Sequence, residues 1–168
     1  SRGSHARALA RADERARADG RLVRLLLADN DLEAAWEVAD EYGVWVAGSS
    51  ASIETTVVRN TQPSAAKGTF GYGICVQADN DDPTQRGELT LSHSFVAQNS
   101  DTGVLVVTSD ASVSSTLVQD THARPTDQTF GDGVCAILSN VTLDQTAFQG
   151  NERASVANFG STVEVHQV

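Results

Sequence analysis

The chain contains no methionine, three prolines and two cysteines, and only 5% of its residues are aromatic. No apolar run approaches the ~20 residues that a membrane-spanning helix requires. Basic residues are scarce, with 12 Lys and Arg against 22 Asp and Glu, for a net charge of −10. From residue 43 onward the balance is five against thirteen. That excludes the Lys/Arg clusters through which proteins hold nucleic acid or an anionic membrane. Such a charge serves instead to keep an elongated protein soluble. Cys75 and Cys135 are spaced neither as a close pair nor as metal ligands, and leave the redox compartment open. No motif asks for a cofactor. The opening Ser1-Arg-Gly-Ser-His5, in a chain without Met, reads as a tag remnant and is set apart from the fold.

What remains is rich in Ala, Val, Ser and Thr, and at 40% hydrophobic it can fill the core of about one domain. Residues 6–43 read as a helical capping segment. Residues 6–19 are Ala, Arg, Asp and Glu with one Leu, and Arg21–Ala28 holds five aliphatic residues. Asn30 with Glu33 makes a capping box for a helix over Leu32–Tyr42. Leu32, Trp36 and Tyr42 lie on its apolar face, and Gly43 stands where a terminating glycine belongs. The segment is either native or an engineered cap on a solenoid fragment.

At Val44 the composition changes to Val, Ser, Thr, Gly and Asn, and repetition begins. Gly68-Thr-Phe-Gly-Tyr-Gly-Ile-Cys-Val76 returns sixty residues later as Gln128-Thr-Phe-Gly-Asp-Gly-Val-Cys-Ala136. A first column of short strands aligns Val44–Val46, Ile74–Val76, Val104–Val106, Val134–Ala136 and Ala154–Val156. A second centres on Ile53, Leu91, Val113, Leu143 and Val163, and a third on Val58, Val96, Val118 and Phe148. The step from first to second column is nine residues in four of five cases; loop Asp79–Gly87 lengthens the other. Hairpin signals are nearly missing, Asp132-Gly133 being the exception, which disfavours an antiparallel sandwich. The pattern fits a coiling chain that lays each strand parallel to its predecessor about 4.8 Å away. Period two places the outer members of each first-column triplet inward and Trp45, Cys75, Leu105, Cys135 and Ser155 outward. It also sets Ser52, Thr90, Ser112, Thr142 and Thr162 in an outward hydroxyl ladder.

Ile53-Glu-Thr-Thr-Val-Val-Arg-Asn60 and Leu91-Ser-His-Ser-Phe-Val-Ala-Gln98 resemble coils of right-handed parallel β-helix proteins with the pectate-lyase-like architecture. The wording around Gly68–Ile74 is similar to β-helix repeat proteins of GC-rich bacteria. The resemblance covers residues 44–168. It implies a mainly β, single-stranded parallel β-helix of about five coils, in an extracellular or cell-surface setting. Its enzymes cut polyuronides or other glycans with two or three acids on neighbouring coils. Their Asn-Thr-Asp and Gly-His-Gly signatures are not in this chain, and its Asp81-Asp82 lies in a loop beside Pro83. No catalytic residue is therefore assigned.

The matched loops 61–73 and 121–133 are the best binding candidate, with Phe70, Tyr72, Phe130 and Asp132 placed to meet a sugar or a partner chain. The two phenylalanines can equally tuck over the coil edge. Asp79, Asp81 and Asp82 offer oxygen ligands for Ca²⁺ without a known calcium-loop spacing, and fit a turn better. The cysteines read as small apolar residues about 10 Å apart with Leu105 between them, beyond disulfide reach. His93 reads as one member of a polar surface column. The expectation is a non-enzymatic structural or binding solenoid, with a carbohydrate-active or glycan-binding module as the alternative. A weaker alternative is self-association of copies through the C-terminal edge at Val163–Val168.

Overall fold

A computed structural model describes residues 23–25, 41–64 and 67–167. Among the described residues fifteen strands form three sheets. β1 (Val23–Leu25), β2 (Tyr42–Ala47), β5 (Tyr72–Gln77), β8 (Thr102–Val107), β11 (Asp132–Ile137) and β14 (Ala154–Phe159) make sheet 1. β3 (Ser50–Glu54), β6 (Glu88–Ser92), β9 (Asp110–Ser114), β12 (Asn140–Asp144) and β15 (Thr162–His166) make sheet 2. β4 (Val57–Arg59), β7 (Phe95–Ala97), β10 (Leu117–Gln119) and β13 (Ala147–Gln149) make sheet 3. From β2 onward every pairing is parallel, and each strand pairs with the equivalent strand one coil away. From β2 onward the described residues stack as a β-solenoid of four three-strand coils followed by two strands of a fifth.

Register puts like over like. Val44, Ile74, Val104, Val134 and Val156 share one file. Ile53, Leu91, Val113, Leu143 and Val165 share another, and Val58, Val96, Val118 and Phe148 a third. Their inward members make one continuous apolar core. In the fifth coil the file members are Val156 and Val165, two residues beyond the expected Ala154 and Val163. The outward partner of Thr142 is accordingly Glu164, not Thr162. The nine-residue step between columns survives the correction.

The expected cap is corrected where the structure describes it. Tyr42 opens β2 instead of closing a helix, and Gly43 lies inside that strand. Val23–Leu25, expected in a helix, runs antiparallel to β2. A helical composition is a weak prior beside the open edge of β2, whose backbone groups need partners. Leu32 and Trp36 lie outside the described residues. Among the described residues there is no helix.

The coils turn at corners that use left-handed residues, the connection from β5 to β6 excepted. Thr55, His93, Ser115, Gln145 and Gln167 stack at the corner between sheets 2 and 3, with φ from 46° to 53°. Side chains inside the corners offset the strain by supplying hydrogen bonds between coils. The Ser94 hydroxyl accepts from Thr56 N–H at 3.1 Å, and Thr116 Oγ1 accepts from Ser94 N–H at 3.3 Å. Ser109, Ser139 and Ser161 do the same at the next corner, accepting from Gly87, Ser109 and Ser139 respectively.

Close stacking also explains the file of glycines that runs through sheet 1 at Gly43, Gly73 and Gly103. A Cβ on Gly43, Gly73 or Gly103 would stand 2.6 Å from the carbonyl oxygen of the equivalent glycine in the next coil. No real side chain tolerates that contact with backbone. Gly103→Ala is therefore expected to lower unfolding free energy by about 1–3 kcal/mol, as overpacking does. Thr90→Ala, on the outward face, should stay within about 0.5 kcal/mol. Urea denaturation of both variants measures the difference; equal midpoints would show that the coils relax around the methyl group.

Candidate functional site: the loop corner

At the corner from sheet 3 back to sheet 1, long and short connections alternate. Long loops leave β4 at 61–71 and β10 at 121–131; short turns follow β7 and β13. The exit is fixed by one file of side chains in which Thr and Asn alternate. Thr61 N–H donates to Asn99 Oδ1 at 3.0 Å, and Thr121 N–H to Asn151 Oδ1 at 3.1 Å. Asn151 Nδ2 donates onward to the Val118 carbonyl at 3.2 Å.

The two long loops share a backbone design. Ser64 N–H and Arg124 N–H donate to the carbonyls of Thr69 and Thr129, each at 2.9 Å. Phe70 and Phe130 take positive φ, 70° and 67°, and are followed by Gly71 and Gly131 at 104° and 91°. At such angles a side chain is strained, so glycine is required there. Each loop returns by donating two amides to a single carbonyl: Gly71 and Tyr72 to Glu41, Gly131 and Asp132 to Asp101. The loops touch where Thr126 Oγ1 donates to the Gly68 carbonyl at 3.1 Å.

Their side chains differ. Around the first loop the rings gather: Phe70 lies 5.5 Å from Tyr42 and 5.8 Å from Tyr72, and Tyr42 stacks 5.8 Å from Trp45. Burial pushes the Tyr42 hydroxyl up to about 12, and raises Tyr72 as well. Around the second loop charges gather. Two guanidinium groups lie over the Phe130 ring, Arg124 at 4.2 Å and Arg153 at 4.9 Å from its centroid. Arg153 grips Asp132 with two nitrogens, Nε to Oδ1 at 2.7 Å and Nη2 to Oδ2. Arg124 Nε lies 3.2 Å from Asp101 Oδ2, a charge contact not aligned as a hydrogen bond. Asp132 is fully buried, and the Asp101 side chain is 1% exposed. Burial is the largest influence on the Asp101 carboxyl and outweighs Arg124, pushing it up to about 6.

Phe70, Tyr72, Phe130 and Asp132 thus come to one corner of the solenoid, in two groups. Phe70 and Tyr72 belong to the ring cluster, Phe130 and Asp132 to the charged one. Tyr42, expected in a cap, is part of the ring cluster. Sequence reasoning missed Asp101, Arg124 and Arg153. The available signal was the Asn99/Asn151 equivalence, which places Arg153 in the same turn position as Asp101.

The other candidates lie elsewhere. Asp79 Oδ1 accepts from Asp81 and Asp82 amides at 2.7 and 3.0 Å, and Asp82 Oδ1 from Thr84 amide and hydroxyl. These carboxylates close turns, and no three acidic, His or Cys side chains among the described residues are placed to hold a metal. His93 is exposed, 3.8 Å from Glu54. Cys75, Leu105 and Cys135 stack on the outer face of sheet 1 in a second apolar cluster with Trp45, Tyr42 and Tyr72. Compared with family models, curated proteins and solved structures, the chain matches none.

Burial raises both thiols, Cys75 to about 12 and Cys135 to about 11, where Asp132 adds to the effect. A thiol that is both buried and protonated is a poor nucleophile. At pH 8 the folded protein is expected to react with a thiol reagent at least about a hundredfold slower than a free cysteine. Both groups should titrate at once in denaturant. Rapid labelling of either before unfolding would show that the cluster opens to solvent.

Proposed function

We propose that the chain is a non-enzymatic structural or binding β-solenoid whose presented feature is the loop corner. One observation carries the reading. The acids gathered there are turned away from solvent, Asp132 gripped by Arg153 and Asp101 lying beside Arg124, and both carboxylates are buried. A glycan-cleaving pair needs two acids that face the sugar and are separated to suit it, about 5–9.5 Å apart. Carboxylates enclosed beneath a loop, Asp132 in the grip of Arg153 and Asp101 under the loop itself, do not face a sugar.

A second reading, a glycan-binding module, is favoured by the half-buried rings of Tyr42, Phe70 and Tyr72, which meet at one corner. Aromatic faces suit the apolar faces of sugars, and mutual packing holds these rings in place. The three-sheet coil with left-handed corners also supports the finer likeness to pectate-lyase-like β-helices. A solenoid of that kind carries many functions, so the likeness does not choose among them.

A panel of neutral and acidic polysaccharides tests both readings, scored for retention and for product release. The structural reading expects no new chain ends from any polymer. Turnover that is lost in Asp101→Asn or Asp132→Asn would overturn it. Retention lost in Phe70→Ala with the unfolding midpoint unchanged would establish the glycan-binding reading.

A further inference from the structure

We propose that loop 121–131 is a proton-linked flap over Asp101, closing on the neutral carboxyl and opening more readily when the carboxylate forms. This does not depend on what the solenoid binds. Asp101 is the point at which both ends of the loop are attached. Its amide donates to the His122 carbonyl at 2.8 Å, and its carbonyl accepts from Gly131 at 2.7 Å and Asp132 at 3.2 Å. The residue itself takes a left-handed φ of 69°. Its side chain is enclosed, yet Oδ2 accepts no hydrogen bond, and Arg124 Nε beside it donates none. Among the described residues the one hydrogen bond to the carboxylate comes from Thr102 Oγ1 to Oδ1, at 3.2 Å. A buried carboxylate normally takes several.

The surrounding charges leave the carboxylate poorly compensated. From the loop, Arg124 faces it favourably and Asp127 unfavourably. From β11 come Asp132 and Cys135, from the turn before β14 Arg153, and from β2 and β5 the tyrosines Tyr42 and Tyr72. Arg153 is already held by Asp132, and Arg124 is shared with Asp127 at 3.8 Å. Burial therefore wins, raising the carboxyl to about 6 from 3.8. Raising the flap returns the group to water and to its ordinary value. Between those two values the closed form holds more protons than the open one. Closure is thus favoured as pH falls and weakened as pH rises. Opening should increase about tenfold from pH 5 to pH 7, by linkage.

Amide hydrogen exchange tests this, corrected for the intrinsic pH dependence of exchange. The amides of Gly131 and Asp132, which donate to Asp101, and that of Asp101, which donates to His122, report the flap, and that of Val106 in β8 serves as reference. The expected result is a protection loss of about tenfold in the flap from pH 5 to pH 7, with β8 unchanged. Asp101→Asn, neutral and of equal size, should keep the flap protected and remove its pH dependence. Constant protection from pH 5 to 7, or protection that rises with pH, would overturn the proposal. So would an Asp101→Asn flap that opens more than wild type at pH 7, which would show the Arg124 ion pair to be the fastening. If that variant fails to fold, carboxyl ¹³C titration of the wild type decides: a midpoint near 6 supports the flap, and one near 4 sinks it.

Discussion

Each strand of this protein finds its hydrogen-bonding partner in the equivalent strand of the next coil. The constraint is severe, because parallel pairing leaves no freedom to slide without breaking three sheets at once. It fixes the spacing between coils at the separation of neighbouring strands, about 4.8 Å. Whatever one coil presents at a position, the next must accept directly above it. Valine over isoleucine over valine satisfies this inside. Glycine over glycine satisfies it where a carbonyl approaches within 2.6 Å of the site a Cβ would occupy. A substitution is therefore judged by the neighbours above and below as much as by its own surroundings.

Corners are the harder part of such a coil. A chain that turns three times per coil relies on left-handed residues at nearly every turn, and most of these are not glycine: Thr108 and Leu138 serve at one corner, Gln98 and Asp120 at another. A non-glycine residue there costs on the order of 1 kcal/mol. Stacking lowers the cost by letting one coil's hydroxyl or amide serve the next coil's backbone. Ser139 illustrates it: its oxygen accepts from Ser109 N–H at 3.2 Å and its hydroxyl hydrogen is offered to Ile137 or Val106 carbonyls. The interior is thus an apolar column edged by ladders of small polar residues. That accounts for a composition rich in Ser and Thr and poor in large side chains.

Much of this was legible in the sequence, and the misses have physical causes. The columns at Val44, Ile53 and Val58 were readable because inward positions recur where the next coil demands them. In the fifth coil Ala154-Ser-Val156 mimics the expected triplet two residues too early. A shift of two leaves every side chain on its own face, so alternation cannot detect it. The register is settled by Val156 over Val134 and Val165 over Leu143. Tyr42 failed differently: its helical spacing with Trp36 and Leu32 was local, whereas its pairing with Tyr72 is thirty residues away. The corner was half legible. Phe70 and Phe130 stood out as repeated words. Asp101 and Arg124 did not, because their meeting depends on a loop folding back over a turn that follows a different strand.

The sixty-residue repeat makes two coils, not one, the unit that recurs, and its two copies have diverged at the loop corner. Backbone features are kept: the left-handed phenylalanine, the glycine after it and the doubly accepting carbonyl are common to both. Side chains are not. Where the first copy has Ser64 and Tyr72 the second has Arg124 and Asp132, and the turn below changes from Glu41 to Asp101. One copy became a ring cluster and the other a set of paired charges. Shape maintained while chemistry changes is what a rigid scaffold permits, since the loop is held by its ends and not by its contents. Burying ion pairs is seldom a net gain in stability over apolar packing. Their presence at the second loop, beside an apolar solution at the first, is the main difference between the two copies, and it lies between Asp101 and Arg153.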